Sequence, residues 1–294
     1  RQRTLFPSRG HITLTGGEPF VREDFLDLLD VLSAKRERFS LAILTNGSLI
    51  DEALARRISE LAPSFVQVSI EGDRAINDRI RGAGTFDRTV HALQNLVRAG
   101  IPSVISFTAQ RKNRDQFGAV SRLGRDVGAT LVWADRLIPW GRATGLRGET
   151  FTPDETRQFF EAMYKARAEA AHSFCRTEIG MGRALQFLVG GGEPYRCAAG
   201  DTLITVQPNG DVLPCRRMPI RVGNLLQNPL VELYCESELL RALRDRERTG
   251  KGCEDCRYAR QCGGGLRCLS YAISGDPFAA DPGCWHARSA SAVS

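Results

Sequence analysis

The sequence predicts an α/β protein: a parallel sheet flanked by helices, followed by a small cysteine-rich domain. Three observations carry that expectation. Short β-rich runs alternate with amphipathic stretches from residue 11 to about 138. The 294 residues are 42% hydrophobic and 25% charged, a globular composition with enough apolar material for a buried core. Of nine cysteines, none precedes Cys175 and eight fall between Cys197 and Cys284.

Five strands are expected, at 11–15, 41–45, 65–70, 104–108 and 130–138. Helices are expected between them at 24–38, 50–62, 87–99 and 115–127, with Gly100 and Gly128 where C-terminal stops belong. Alternation of this kind means parallel strands joined by helical crossovers. Residues 152–173 read as one long helix, opened by Thr152-Pro153-Asp154-Glu155 with proline in the first turn. Beyond it, 203–207 and 211–215 flank Pro208-Asn209-Gly210 and read as a hairpin. A helix over 229–248 and a loop-like Cys/Gly-rich tail complete the expectation. The boundaries that follow are a barrel-like domain over 1–173, a linker over 174–196, a cysteine-rich domain over 197–288 and a frayed tail over 289–294.

Forty Lys and Arg against 34 Asp and Glu give a net charge of +6, spread along the chain without a polybasic block. No nucleic-acid footprint is expected. No apolar run approaches the ~20 residues that span a bilayer, and no signal peptide opens the chain. A cytoplasmic protein is the expectation, and cytosolic thiols stay reduced, so clustered cysteines point to metal rather than disulfides.

Their spacing is specific: Cys197-x12-Gly210-x4-Cys215, then Cys253-x2-Cys256-x5-Cys262-x5-Cys268, then Cys284. A Cys-x2-Cys turn sets two thiolates on one centre, and later cysteines complete a four-sulfur site fit for zinc or an iron–sulfur cluster. Parallel α/β sheets hold ligands at the carboxyl ends of their strands. There the sequence has Gly16-Gly17-Glu18-Pro19, Asn46-Gly47, Glu71-Gly72-Asp73 and Pro139-Trp140-Gly141-Arg142.

The ordered set of Gly16-Gly17-Glu18-Pro19 after a strand, Thr45-Asn46-Gly47, Ser69-Ile70-Glu71-Gly72, Arg81-Gly82-x-Gly84-Thr85-Phe86 and Ile138-Pro139-Trp140-Gly141-Arg142, ahead of those cysteines, resembles a radical S-adenosylmethionine (SAM) enzyme with a SPASM domain. The resemblance covers about residues 11–286. It implies a partial (β/α)6 barrel in which the backbone of Gly16, Gly17 and Pro19 and the carboxylate of Glu18 hold the methionine ammonium of SAM. It makes Ser69 and Arg81 candidates for ribose and carboxylate contacts, and Ile138 for the adenine. A second Gly-Gly-Glu-Pro string, at 191–194, has no strand before it and reads as a loop entering Cys197. The resemblance further implies two auxiliary 4Fe–4S clusters, one on Cys197, Cys215 and Cys268, the other on Cys253, Cys256, Cys262 and Cys284. Cys235, Cys175, solvent or substrate could complete the first, although Cys235 beside Leu233 and Tyr234 reads first as a small buried hydrophobe.

The departures matter as well. The family's Cys-x3-Cys-x2-Cys loop, which binds the catalytic cluster, occurs nowhere in the 294 residues. Five strands stand where six are expected, and the chain starts with Arg1. One missing βα unit of roughly 30 residues explains both, so the barrel is expected to lack its first strand and this chain alone to be inactive. Leu266 stands where the family commonly has a cysteine, with Cys268 as the substitute ligand. Cys215 is followed by Arg216 and Arg217, which cannot take a proton as the aspartate of sulfatase-maturing members does. The four histidines, His11, His91, His172 and His286, read as structural or surface residues.

The expected activity is that of a redox enzyme modifying a ribosomally made peptide or protein through a 5′-deoxyadenosyl radical, with flavodoxin or ferredoxin as electron donor. The alternatives are a haem- or quinone-type cofactor-tailoring enzyme on a small molecule, and a non-catalytic zinc scaffold.

Overall fold

The computed structural model describes residues 10–172 and 176–287. Cys175 and the tail over 289–294 lie outside the described residues. The chain divides into two compact units, one of Arg1–Asp135 with Ala162–Gly180, the other of Arg136–Glu161 with Met181–Ser294.

The first unit is built on strands β1 (Gly10–Leu14), β2 (Phe39–Thr45), β3 (Phe65–Ser69), β4 (Ser103–Ala109), β5 (Leu131–Arg136) and β6 (Glu178–Gly180). They form one sheet in the order β1-β2-β3-β4-β5-β6. Pairing is parallel across β1/β2, β2/β3, β3/β4 and β5/β6, with Leu14 opposite Ile43 and Ser69 opposite Ser106. The central strands are buried along almost their whole length. Edge strand β1 alternates instead between exposed and half-buried residues.

Helices α1 (Phe25–Ser33), α2 (Glu52–Glu60), α3 (Arg74–Arg81), α4 (Thr85–Arg98) and α5 (Phe117–Val127) alternate with these strands, and α6 (Pro153–Ala171) precedes β6. Leu29, Ile58, Leu93, Leu96 and Val120 are fully buried on their inner faces. Helix α5 ends as expected at Gly128, whose φ of +77° suits a left-handed cap.

Two elements correct the sequence reading. The count is six strands rather than five, because β6 lies in the segment read as a linker. It is three residues long, and only Ile179 is buried, so periodicity had nothing to register. Helix α3 is an element that the sequence reading did not assign, because Arg74–Arg81 is strongly polar. It is set instead by its ends: Asp73 accepts the Ile76 N–H at 3.0 Å, and Gly82 stops it at φ +105°.

The second unit contains α7 (Phe187–Gly190), the three-stranded sheet β7 (Thr205–Val206), β8 (Asp211–Leu213) and β9 (Gly223–Asn224), and helices α8 (Leu230–Glu236), α9 (Glu238–Arg244), α10 (Ala259–Cys262) and α11 (Arg267–Ser274). The β7/β8 hairpin forms as expected, with Val206 opposite Val212, and β9 adds a third antiparallel strand. The helix expected over 229–248 breaks at Ser237, which turns extended and caps α9 through the Leu240 N–H. The tail read as loop-like carries α11. Cys197, Met218, Leu240, Leu243, Leu266, Cys268 and Leu269 form the core of this unit, with Ile138 and Cys215 packed against it.

Candidate functional site: a carboxylate cradle and two cysteine groups

Glu18 stands at the carboxyl end of β1, where it caps a short turn of 3-10 helix over Pro19–Val21. Its Oε1 accepts the Thr45 hydroxyl at 2.7 Å and the Phe20 N–H at 3.3 Å, and its Oε2 accepts the Asn46 N–H at 2.7 Å. The carboxylate thus joins the ends of β1 and β2. A carboxylate offers about four acceptor positions, so Oε2 keeps one for a cation. Pro19 is buried beneath it, while Gly16 and Gly17 are exposed. A Cβ added to either glycine would meet nothing within 4 Å. Neither has a left-handed φ, so conformation and packing do not call for glycine there. These glycines leave an open backbone rim beside Glu18. Glu193, by contrast, is exposed, follows α7 and belongs to no strand.

Further along the same sheet end, Ser69 is half-buried as the last residue of β3. Arg81 gives its Nη2 to Glu71 Oε1 at 2.5 Å. Glu71 is buried, and its Oε2 accepts the Thr108 N–H at 2.7 Å. Asn113 donates to the Glu71 carbonyl, and Asn77 accepts the Glu71 N–H. Glu71 therefore fixes Arg81 at the ends of β3 and β4, a role that the sequence reading did not assign. Glu18, Ser69 and Arg81 all stand at the carboxyl end of one sheet. Ile138 belongs to the second unit, against the core that holds Cys197 and Cys268.

Four cysteines, Cys253, Cys256, Cys262 and Cys284, line one pocket of the second unit with Tyr258, Asp281 and His286. Cys197, Cys215 and Cys268 share a separate core cluster. No disulfide joins any of them, and no three donors close on a single-ion site among the described residues. Cys235 corrects the sequence reading, for it is exposed on α8 rather than buried. The four histidines are exposed, and His286 also lines the four-cysteine pocket, where its place two residues past Cys284 was the available signal.

The sulfurs are prepared as ligands by the backbone. Cys197 accepts from the N–H groups of Ala199 and Arg267, Cys215 from Arg217 at 3.4 Å, Cys262 from Gly265 and Gly264, and Cys284 from His286 and Ala287. In each case one donor lies two residues downstream. Such bonds stabilise thiolate and are a lever on cluster potentials. With no metal to hold, burial still pushes the thiols up, Cys253 to about 12 and Cys262 to about 11. Loading a metal must therefore release protons. Gly265 lets this chain segment pass: its φ is +81°, and a Cβ there would lie 2.5 Å from that of Asp281.

A family model of the radical SAM superfamily matches residues 3–121, and a model of the SPASM iron-sulfur cluster-binding domain matches residues 197–257. Mycofactocin maturase of Mycobacterium tuberculosis is 32% identical over 297 residues, covering 96% of this chain and 72% of its own. The chain is a radical SAM enzyme with a C-terminal SPASM domain. An AdoMet-dependent heme synthase of Nitratidesulfovibrio vulgaris is 30% identical, over 95% of this chain and 80% of its own. The solved structure of anSMEcpe with bound AdoMet superposes with a TM-score of 0.76 at 20% identity, covering 95% of this chain and 77% of the other. At that identity the likeness is one of fold. The cofactors of this radical SAM/SPASM enzyme are SAM and 4Fe–4S clusters. The residues present fit both: an open glycine rim beside a carboxylate for an ammonium, and N–H-bonded thiols for iron.

Proposed function

We propose that this radical SAM/SPASM enzyme is a peptide maturase. The observation that carries the reading is the 32% identity to mycofactocin maturase over 96% of the chain. PqqA peptide cyclase of Streptomyces rochei, 28% identical over 92% of the chain, supports it. Bound SAM, once reductively cleaved, supplies a 5′-deoxyadenosyl radical that takes hydrogen from the substrate. The residues of this chain bind and orient. Glu18 receives the methionine ammonium through its spare Oε2 position, a charge-assisted hydrogen bond of the strong kind. Gly16, Gly17 and Pro19 give it backbone to lie against, and Ser69 and Arg81 meet the ribose and carboxylate. Arg81 spends one of its donors on Glu71 and is thereby aimed rather than free.

Cys253, Cys256, Cys262 and Cys284 hold one auxiliary cluster, and Cys197, Cys215 and Cys268 the other. The clusters, when held there, would supply electron transfer or a contact to substrate, with a flavodoxin or ferredoxin of the cytoplasm as electron donor. None of the 294 residues forms a Cys-x3-Cys-x2-Cys loop, so no residue here is assigned to the catalytic cluster. Among the described residues no helix is long and apolar enough to cross a membrane.

A second reading, modification of a tetrapyrrole, is favoured by the 30% identity to heme synthase. One experiment separates the two. Short reading frames beside the gene are expressed as peptides, and each is titrated against the reconstituted chain alongside a porphyrin. Saturable binding of such a peptide supports the maturase. Porphyrin binding with no peptide bound supports the tetrapyrrole enzyme.

A further inference from the structure

Arg267 opens α11 with a guanidinium that nothing around it neutralises. The residue is 2% exposed. Its Nε and Nη2 have no hydrogen-bond partner, and its Nη1 reaches only the Pro277 carbonyl, at 3.5 Å. The Phe278 ring centre is 5.1 Å away, but Arg248 lies over the same ring at 4.7 Å. No ion pair joins Arg267 to a carboxylate among the described residues. Its neighbour Arg196 differs, spending its donors on the carbonyls of Arg260 and Asp245.

An arginine stays charged at any working pH. Burying that charge without a partner is strongly unfavourable, so the side chain is built for an anion that forms inside the protein. At 2% exposure it is closed to a substrate-sized anion from solvent. The sulfurs of Cys197 and Cys262 lie within its electrostatic reach, and each would favour its charge on becoming a thiolate ligand. These belong to different groups, Cys197 to the three-cysteine cluster of side chains and Cys262 to the four-cysteine pocket. The backbone N–H of Arg267 also bonds the Cys197 sulfur.

We propose that Arg267 is the counter-charge shared by both auxiliary clusters, a positioning residue that raises the reduction potential of each. The proposal rests on the assignment of the two cysteine groups to clusters. A cluster held by thiolates is anionic, and reduction adds one more electron to it. A fixed cation beside it, with two guanidinium nitrogens still unspent, favours the reduced state, since net charge and hydrogen bonds to sulfur set these potentials.

The test is a redox titration, followed by electron paramagnetic resonance, of the anaerobically reconstituted chain as wild type, Arg267→Met and Arg267→Lys. Iron analysis comes first, and wild-type protein without cluster iron overturns the assignment beneath the proposal. With iron present, Arg267→Met is expected to lower the reduced-to-oxidised ratio of both clusters about tenfold at fixed ambient potential, about 59 mV for a one-electron couple. Arg267→Lys is expected to keep most of the wild-type potential. Unchanged potentials in Arg267→Met, or a shift in one cluster alone, overturn the proposal. Should Arg267→Met fail to hold iron, thermal unfolding of the apoproteins decides. A counter-charge leaves apo Arg267→Met at least as stable as apo wild type, because the orphan charge is gone. A clear loss of apo stability assigns Arg267 to the core alone and overturns the proposal.

Discussion

Arg136 and Asp281 form a bidentate ion pair, Nη1 to Oδ1 at 2.7 Å and Nη2 to Oδ2 at 2.6 Å, with both side chains almost fully buried. Asp281 also accepts the N–H groups of Leu266 and Gly283, at 2.8 and 2.9 Å. One carboxylate thus fixes the segment before α11 and the turn before Cys284. Removing only one partner strands a buried charge, which typically costs about 3–5 kcal/mol. Arg136→Met is expected to lose stability on that scale in urea unfolding. The double variant Arg136→Met/Asp281→Leu is expected to recover part of the loss.

Glu18 carries a structural and a binding load together. Glu18→Gln leaves one side-chain oxygen where Thr45, Phe20 and Asn46 now share two. Loss of hydrogen bonds to a charged group costs about 1.5–3 kcal/mol. Calorimetric titration of SAM is expected to show at least about a tenfold weaker affinity, since about 1.4 kcal/mol is a factor of ten. Thr45→Val is the control: it removes one donor and is expected to cost stability with a smaller change in affinity.

Gly16 and Gly17 separate binding from folding more cleanly. With nothing within 4 Å of an added Cβ, Gly17→Ala and Gly16→Val are expected to stay within about 0.5 kcal/mol of wild-type stability. SAM affinity is expected to fall, more for valine. Unchanged affinity in both variants would remove the cofactor from this rim.

Asp78 supplies an acid-dependent contribution. The Phe86 N–H is the main cause of its depressed pKa, with the Gly84 N–H and the Thr85 hydroxyl adding to it. A carboxylate whose folded pKa is lowered contributes fully above its unfolded value, about 3.9, and the contribution disappears as pH falls through the folded value. Asp78→Asn is expected to lower stability at pH 7 and to flatten the loss of stability below about pH 4. Unfolding midpoints across pH 2–7 test both effects.

Much of the fold was legible because its signals are local. Central strands such as β4 carry β-branched and aromatic residues, among them Val104, Ile105 and Phe107, and Gly128 marks a helix end where the backbone needs it. The elements that escaped notice are held by tertiary contacts. Strand β6 exists through pairing with β5, and α3 through Asp73 and the Asn77–Glu71 bond. At the site, sequence order marked Glu18 and the seven cysteines, since ligand spacing is chemistry written along the chain. The roles of Glu71, Asp281 and Arg267 were not legible there, because each draws its meaning from a partner that only the fold brings to it or from lacking one. Cys235 misled because its neighbours Leu233 and Tyr234 are partly buried, while its own side of α8 is not.

Two groups of cysteines in this radical SAM/SPASM chain are proposed to hold iron–sulfur clusters. Iron and acid-labile sulfide analysis of the anaerobically reconstituted chain, beside a Cys256→Ala variant, tests it most directly. About eight iron and eight sulfide per chain are expected for two 4Fe–4S clusters, falling to about half in Cys256→Ala. Zinc without sulfide, or an iron content that Cys256→Ala leaves unchanged, would contradict it.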